Sequence, residues 1–215
     1  MSDRIIFYHN PQSRAAIAHW MLEEVRADYE VRHIDFQKGD SRSPDFLAVN
    51  PMGKIPTIVD RGTVVTEAAA ICAYLADRFP QAGLAPATGS PERGTYYRWL
   101  FFGAGCFEPA VTDKMFNRPE PENKGSIGYG SYDDTIDTIE KAIQPGPYLL
   151  GQKFSAADVY IASELSWTGM FGAPRIKDSR AIQAYVERCT ARPAYQRTQN
   201  QPAEAEREEA EAHPS

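Results

Sequence analysis

The reading of this chain turns on residues 50–56, Asn-Pro-Met-Gly-Lys-Ile-Pro, taken together with residues 67–75, Glu-Ala-Ala-Ala-Ile-Cys-Ala-Tyr-Leu. Pro51 and Gly53 rule out a helix across the first stretch, so it is a turn. The second is Ala-rich with helical apolar spacing. Between them, residues 57–60, Thr-Ile-Val-Asp, read as a short strand. Pro56 therefore stands where a sheet wants a backbone donor. A proline there ends the ladder and leaves the N–H and C=O of Ile55 turned outward. An extended peptide can pair with such an edge by β-augmentation.

Working outward, residues 5–8 are a run of β-formers. Residues 15–25 carry apolar side chains at 17, 18, 21, 22 and 25, the spacing of an amphipathic helix. Residues 29–34 alternate as a strand. After a loop or short helix, residues 57–59 and 63–65 flank Arg61-Gly62 as a hairpin, and residues 67–79 are helical. The order β-α-β then β-β-α, with X-Pro before the third strand, is the thioredoxin-like pattern, in which that proline is cis. Cis is inexpensive only at X-Pro, at roughly 0.5–1 kcal/mol.

Beyond Pro80 the character changes. A Pro/Gly/Ser linker covers residues 81–89, and a long helix opens at Ser90 or Pro91 and runs through residue 111. Helices follow over 132–143, 155–170 and 179–190. The expected architecture is α/β plus all-α: a thioredoxin-like domain over 1–80, then an all-helical domain over 90–200. Ser155 and Asp158 form a capping-box pattern ahead of the 155–170 helix, a folding signal.

The chain has 215 residues with 42% hydrophobic and 24% charged side chains, ordinary globular material. No apolar run approaches ~18 residues, so no membrane-spanning helix is expected, and residues 1–4 are too polar to open a secretory signal. Net charge is −6, of which −4 falls in residues 201–215, read as a disordered acidic tail. A nearly neutral body without a basic cluster argues against nucleic acid. Cys72, Cys106 and Cys189 are far apart, with no CxxC and no metal-ligand spacing. They read as free thiols in a cytoplasmic setting.

Glu67 opens a helix, and helix N-termini attract carboxylates through free N–H groups and the dipole. Glu67 with the N–H of Ala68 suits a group carrying both an ammonium and a carboxylate, such as the γ-glutamyl end of glutathione. Residues 50–60 and 64–80, with Tyr-Leu-Leu-Gly-Gln-Lys-Phe-Ser-Ala-Ala-Asp-Val-Tyr over 148–160, resemble the cytosolic glutathione transferases over nearly the whole chain to about residue 200. The resemblance implies a cis Pro56, backbone pairing of Ile55 with the cysteinyl unit, Lys54 near the glycine carboxylate, and a homodimer. The family commonly has Ser where this chain has Ala68. A charge-assisted bond worth ~1.5–3 kcal/mol is then absent.

The implied reaction is attack of the glutathione thiolate on a hydrophobic electrophile, with glutathione as co-substrate and no metal. Lowering a thiol pKa by two units takes ~2.7 kcal/mol of anion stabilisation. A donor at the front of the first helix can supply it. Three candidates stand there: Ser13, the hydroxyl at the helix start; Asn10, four residues before Arg14; and Tyr8, at the end of the first strand. His9 reads as a loop histidine. No cysteine lies in this loop, which disfavours mixed-disulfide chemistry through a protein thiol. The electrophile's wall is expected from Tyr97, Phe101, Phe102, Cys106, Trp167 and Phe171, in a cleft between the domains. The alternatives are a glutathione-fold binding protein without transfer chemistry, or a glutathione-dependent isomerase or dehalogenase.

Overall fold

The computed structural model describes residues 4–119 and 122–200; the acidic tail over 201–215 lies outside them. The described chain falls into two units, one up to Ala82 together with residues from Arg192 onward, the other Gly83–Ala191.

The first unit is built on a four-stranded sheet. Strands β1 (Ile5–His9), β2 (Tyr29–His33), β3 (Thr57–Asp60) and β4 (Thr63–Thr66) lie in the order β2-β1-β3-β4. β1 and β2 are parallel and joined through helix α1 (Ala15–Val25), while β3 is antiparallel to both β1 and β4. The β3–β4 turn places Arg61 at φ 50° and Gly62 at φ 81°. Two positive φ values in a two-residue loop are what a type I′ hairpin requires. Helix α2 (Pro44–Val49) is capped by Ser43, whose Oγ accepts from the N–H of Phe46 at 3.3 Å. Helix α3 is Ala68–Arg78.

The sheet separates two apolar layers. Phe7, Trp20, Leu22, Ile58, Ile71 and Leu75 are buried. Opposite Phe7, the alternating pleat places Tyr8, which with Ile34 and Phe46 forms a second cluster against which Ile6, Val49, Ile55 and Val59 pack. Asp60, 1% exposed, pins α3 to β3 by accepting from Tyr74 Oη at 2.6 Å and Arg78 Nε at 3.1 Å.

Two features depart from the sequence expectation in this unit. Residues 192–200, expected in the helical domain, group with the first unit. Pro193 opens their helix at a first-turn position, where its missing N–H is harmless. The later helix there packs on α1, with Tyr195 against Trp20 at 4.9 Å between ring centroids. Arg192 donates to both oxygens of Glu24 at 2.7 and 2.8 Å, and Arg197 Nε to Glu23 at 2.6 Å. His9 is not a loop histidine but the buried last residue of β1, 5.2 Å from His19 between ring centroids. Burial, with His19 and His33 nearby, drives its pKa from 6.5 to about 3. The unfolded chain then binds a proton below pH 6.5 that the folded chain refuses until about pH 3. Stability is full above pH 6.5 and lost as pH falls toward 3. Between pH 7 and 5 the loss from His9 is about 2 kcal/mol. Urea titrations of wild type and His9→Gln check it, the variant showing a smaller loss over that window.

The second unit is helical: α4 (Pro91–Phe102), α5 (Glu108–Met115), α6 (Tyr132–Ile143), α7 (Ala156–Met170) and α8 (Arg180–Thr190), with α9 being Pro193–Asn200 of the first unit. The single helix expected up to residue 111 is interrupted by a π-helical turn, Gly103–Phe107. Pro109 lacks an N–H and its ring crowds the carbonyl four residues back, so the wider turn accommodates it. Gly103 is obligatory there, because a Cβ would lie 2.4 Å from the Tyr160 ring. Arg175 holds three carboxylates of α6, at 3.0 Å from Asp133, 2.5 Å from Asp137 and 3.1 Å from Glu140.

Candidate functional site

The loop ahead of β3 is held from within. Asn50, 3% exposed, donates through Nδ2 to the C=O of Lys54 at 2.8 Å and to Thr57 Oγ1 at 3.1 Å. Its Oδ1 accepts from the Met52 N–H at 3.1 Å, and Thr57 Oγ1 also donates to Lys54 O at 2.9 Å. Gly53 sits at φ 61°, and a Cβ there would come 2.5 Å from Ser41 O. Only glycine closes this turn. Sequence reasoning used the loop but missed Asn50 as its clamp, although an Asn opening a Pro-x-Gly turn is a usable signal.

The Ile55-Pro56 bond is cis. Strand pairing begins at Thr57, which faces Tyr8 and Thr66. Among the described residues, neither the N–H nor the C=O of Ile55 has a hydrogen-bond partner. Its side chain packs on the cluster of Tyr8, Ile34 and Phe46, which fixes the backbone beside it. A short, half-exposed strand edge is thus left open.

At the far end of the β3–β4 hairpin, Glu67 heads α3 with φ 65° and ψ 117°. That combination lies outside the small left-handed basin and costs of order 1–3 kcal/mol in a non-glycine residue. The Glu67 carbonyl accepts the first helical bond from Ile71 N at 2.9 Å, while its exposed side chain caps nothing. The sequence named Glu67 and Ala68 but carried no sign of this backbone geometry. Lys54 is exposed, and among the described residues no carboxylate pairs with it.

The three candidate donors occupy different settings. Ser13 Oγ donates to Asn10 O at 2.7 Å and accepts from the Ala15 N–H at 3.1 Å, so its one proton is engaged. Asn10 donates through Nδ2 to Ile34 O at 2.9 Å and accepts through Oδ1 from the Gln12 N–H at 2.9 Å. One N–H of its amide stays uncommitted among the described residues. Tyr8 packs against Phe46 at 5.1 Å, and its hydroxyl accepts from Arg32 at 3.5 Å. Ser13 and Asn10 are brought together; Tyr8 joins the cluster that carries Ile55.

The aromatic residues named for an electrophile wall all lie in the second unit. Tyr97 and Phe101 share one exposed face of α4, with Phe101 75% exposed. Trp167 meets Phe171 edge to face at 4.7 Å between ring centroids, and Phe102 meets Trp99 likewise at 5.4 Å. Cys106 is half-buried in the π turn, its Sγ 3.7 Å from Gly128 O, and burial pushes its thiol up. Among the described residues no three potential ligands converge as a metal site, and no helix is long and apolar enough to cross a membrane.

The family described as glutathione S-transferase, N-terminal domain, matches residues 4–77, and its C-terminal domain matches 133–193. A crystal structure of a glutathione transferase from Methylococcus capsulatus strain Bath is 32% identical, covers 90% of this chain and 96% of its own, and gives a TM-score of 0.74. The chain belongs to the glutathione S-transferase superfamily. Within that superfamily, the sphingomonad glutathione S-transferase complexed with glutathione is 29% identical over 89% of this chain and 96% of its own, with a TM-score of 0.73. The disulfide-bond oxidoreductase YfcG of Escherichia coli strain K12 is 29% identical over 80% of this chain and 84% of its length. Members at this distance carry names for more than one reaction. The superfamily's two-part plan, a four-stranded sheet domain and a helical domain, is the plan found here.

Proposed function

We propose that this chain is a glutathione transferase that conjugates the activated thiolate of glutathione to a hydrophobic electrophile. The observation that carries the proposal is the open backbone of Ile55 beside β3, an edge onto which one extended residue of a tripeptide can pair. The glutathione bound in the sphingomonad relative supports it. In this reading the cysteinyl unit pairs with the backbone of Ile55, the residue just before Pro56. Glu67 meets the γ-glutamyl ammonium, the Ala68 N–H at the front of α3 meets its carboxylate, and Lys54 meets the glycine carboxylate. The sulfur faces the start of α1, where Ser13 is the first choice of donor, with Asn10 and Tyr8 as the others. The electrophile lies against Tyr97, Phe101, Cys106 and Trp167. The active form is a cytoplasmic homodimer acting in detoxification.

One observation favours a second reading, a glutathione-binding protein without transfer chemistry. The only proton of Ser13 is already given to Asn10, and Ala68 supplies no hydroxyl. Calorimetric titration with glutathione tests the common part. Glu67→Gln, which removes a charge-assisted bond to the ammonium, is expected to weaken binding ~10-fold or more. Ala68→Ser, which adds a hydroxyl at the same helix front, is expected to tighten it by up to ~10-fold. Unchanged affinity in Glu67→Gln overturns the placement of the γ-glutamyl end. Turnover of a generic aromatic halide by wild type then separates transferase from binder.

A further inference from the structure

The second unit holds a cavity of about 250 Å³ lined by Ala110, Asp113, Lys114, Arg118, Tyr129 and Tyr132, together with Asn117 and Pro119. It belongs to the end of α5 and the start of α6, and the glutathione reading makes no use of it. Its chemistry follows from which polar groups are already engaged. Asp113 accepts from Arg118 Nη1 at 2.8 Å through Oδ1 and from the Tyr129 hydroxyl at 2.7 Å through Oδ2. Those donors, Tyr129 first, hold its carboxyl below the usual range. It is a fixed anion that orients the Arg118 fork.

The carbonyls at the end of α5 are also taken. Phe116, Arg118 and Asn117 donate their N–H groups to the C=O of Thr112, Asp113 and Lys114 at 3.0, 2.9 and 3.2 Å, a closure made by Asn117 at φ 51°. The Tyr132 hydroxyl donates to Pro174 O. Lys114 is different: its ammonium stands 5.5 Å from the Tyr132 ring centroid, and among the described residues no carboxylate pairs with it. Among the described residues, Nε and Nη2 of Arg118 are left over beyond the bond to Asp113. So the Asp113 carboxylate and the carbonyls of Thr112, Asp113 and Lys114 are each engaged, while among the described residues Lys114 and two nitrogens of Arg118 keep donors in hand. A bound molecule must bring its own acceptors and negative charge. The side chains of Ala110, Pro119 and Tyr132 ask for a flat apolar body of modest size.

The geometry points to a binding site for a small aromatic carboxylate, its carboxylate held by Lys114 and Arg118 and its ring against Tyr132. The site uses none of the residues assigned to glutathione and does not depend on that assignment.

The test uses the full chain and benzoate as probe, with benzyl alcohol as its uncharged counterpart, followed by ligand-observed NMR titration. Saturable benzoate binding is expected, with benzyl alcohol binding ~10-fold more weakly or not at all. Lys114→Gln, on an exposed side chain that meets the Tyr132 ring, should weaken benzoate ~10-fold with the fold unchanged by circular dichroism. Arg118→Gln should weaken it further, because Asp113 is then left facing the ligand without its counter-charge. Excess glutathione should leave the titration unmoved. The proposal is overturned by any of four results: no saturable binding to wild type, equal binding of benzyl alcohol, undiminished binding to Lys114→Gln, or displacement of benzoate by glutathione.

Discussion

Asp158→Ala is expected to lower the unfolding free energy by about 4 kcal/mol, and the unfolding midpoint by roughly 10 °C. Asp158 has no exposure and accepts four bonds: from the Leu149 N–H at 2.8 Å, the Ser155 N–H at 2.9 Å, the Ser155 hydroxyl at 2.9 Å and the Tyr185 hydroxyl at 2.9 Å. One carboxylate thereby closes the start of α7, ties the 148–153 turn to it and anchors α8. Burial pushes its carboxyl up, and the four donors are what keep an anion tolerable there. Truncation to alanine leaves two backbone N–H groups and two hydroxyls buried without an acceptor, at about 1–3 kcal/mol each before relaxation. Asp158→Asn keeps the volume and one acceptor oxygen, so its cost should be about half. Denaturant unfolding at pH 7 measures both. A loss below about 1 kcal/mol in Asp158→Ala would sink this account of the second unit.

Ser13→Ala is expected to raise the pKa of bound glutathione by about two units and to lower kcat/KM about 100-fold at pH 6.5. The reason is the charge that forms on sulfur: the hydroxyl donor at the front of α1 must supply ~2.7 kcal/mol to the thiolate. In the unliganded protein the hydroxyl gives its proton to Asn10 O at 2.7 Å, so binding must turn it toward sulfur. The substitution also removes the acceptor of the Ala15 N–H, which costs stability of about 1 kcal/mol without moving a thiol pKa. The pH profile separates the two effects. A lost donor shows as a shifted profile, with variant and parent converging above pH 9. A lost cap shows as equal loss at every pH. If Ser13→Ala titrates as the parent does and Asn10→Ala does not, the amide is the donor; Tyr8→Phe completes the set. Should none of the three move the titration, the transferase reading gives way to a binding protein.

Much of the first unit was legible because its signals are local. The α1 stripe at 17, 18, 21, 22 and 25 needs only a period of 3.6, and Ile17, Ala18, Met21, Leu22 and Val25 are indeed buried. Arg61-Gly62 announced its hairpin, and Pro56 announced a strand that starts late. Other features depend on what packs alongside. Pro193 looks the same whether it ends a helix or opens one, and the choice rests on Trp20 and Glu24 waiting on α1 to receive Tyr195 and Arg192. The π turn at 103–107 follows from Pro109 and from the close approach of Tyr160, which is distant in sequence. His9 read as a loop residue because nothing near it in the chain reveals that β1 runs one residue further and is covered there by His19.

The amino-acid order by itself determined the alternation of strand and helix, the open edge at Ile55, the acidic head of α3 and the superfamily they imply. These rest on residue type and on spacings of two, three or four, which act within one turn or one pleat. Only the tertiary structure decided that Glu67 is held at φ 65°, that the proton of Ser13 already has an acceptor, and that Tyr8 turns toward Phe46 and Arg32. The setting of Tyr8 comes from segments tens of residues away, and the other two are backbone and side-chain geometries that residue type and spacing do not specify.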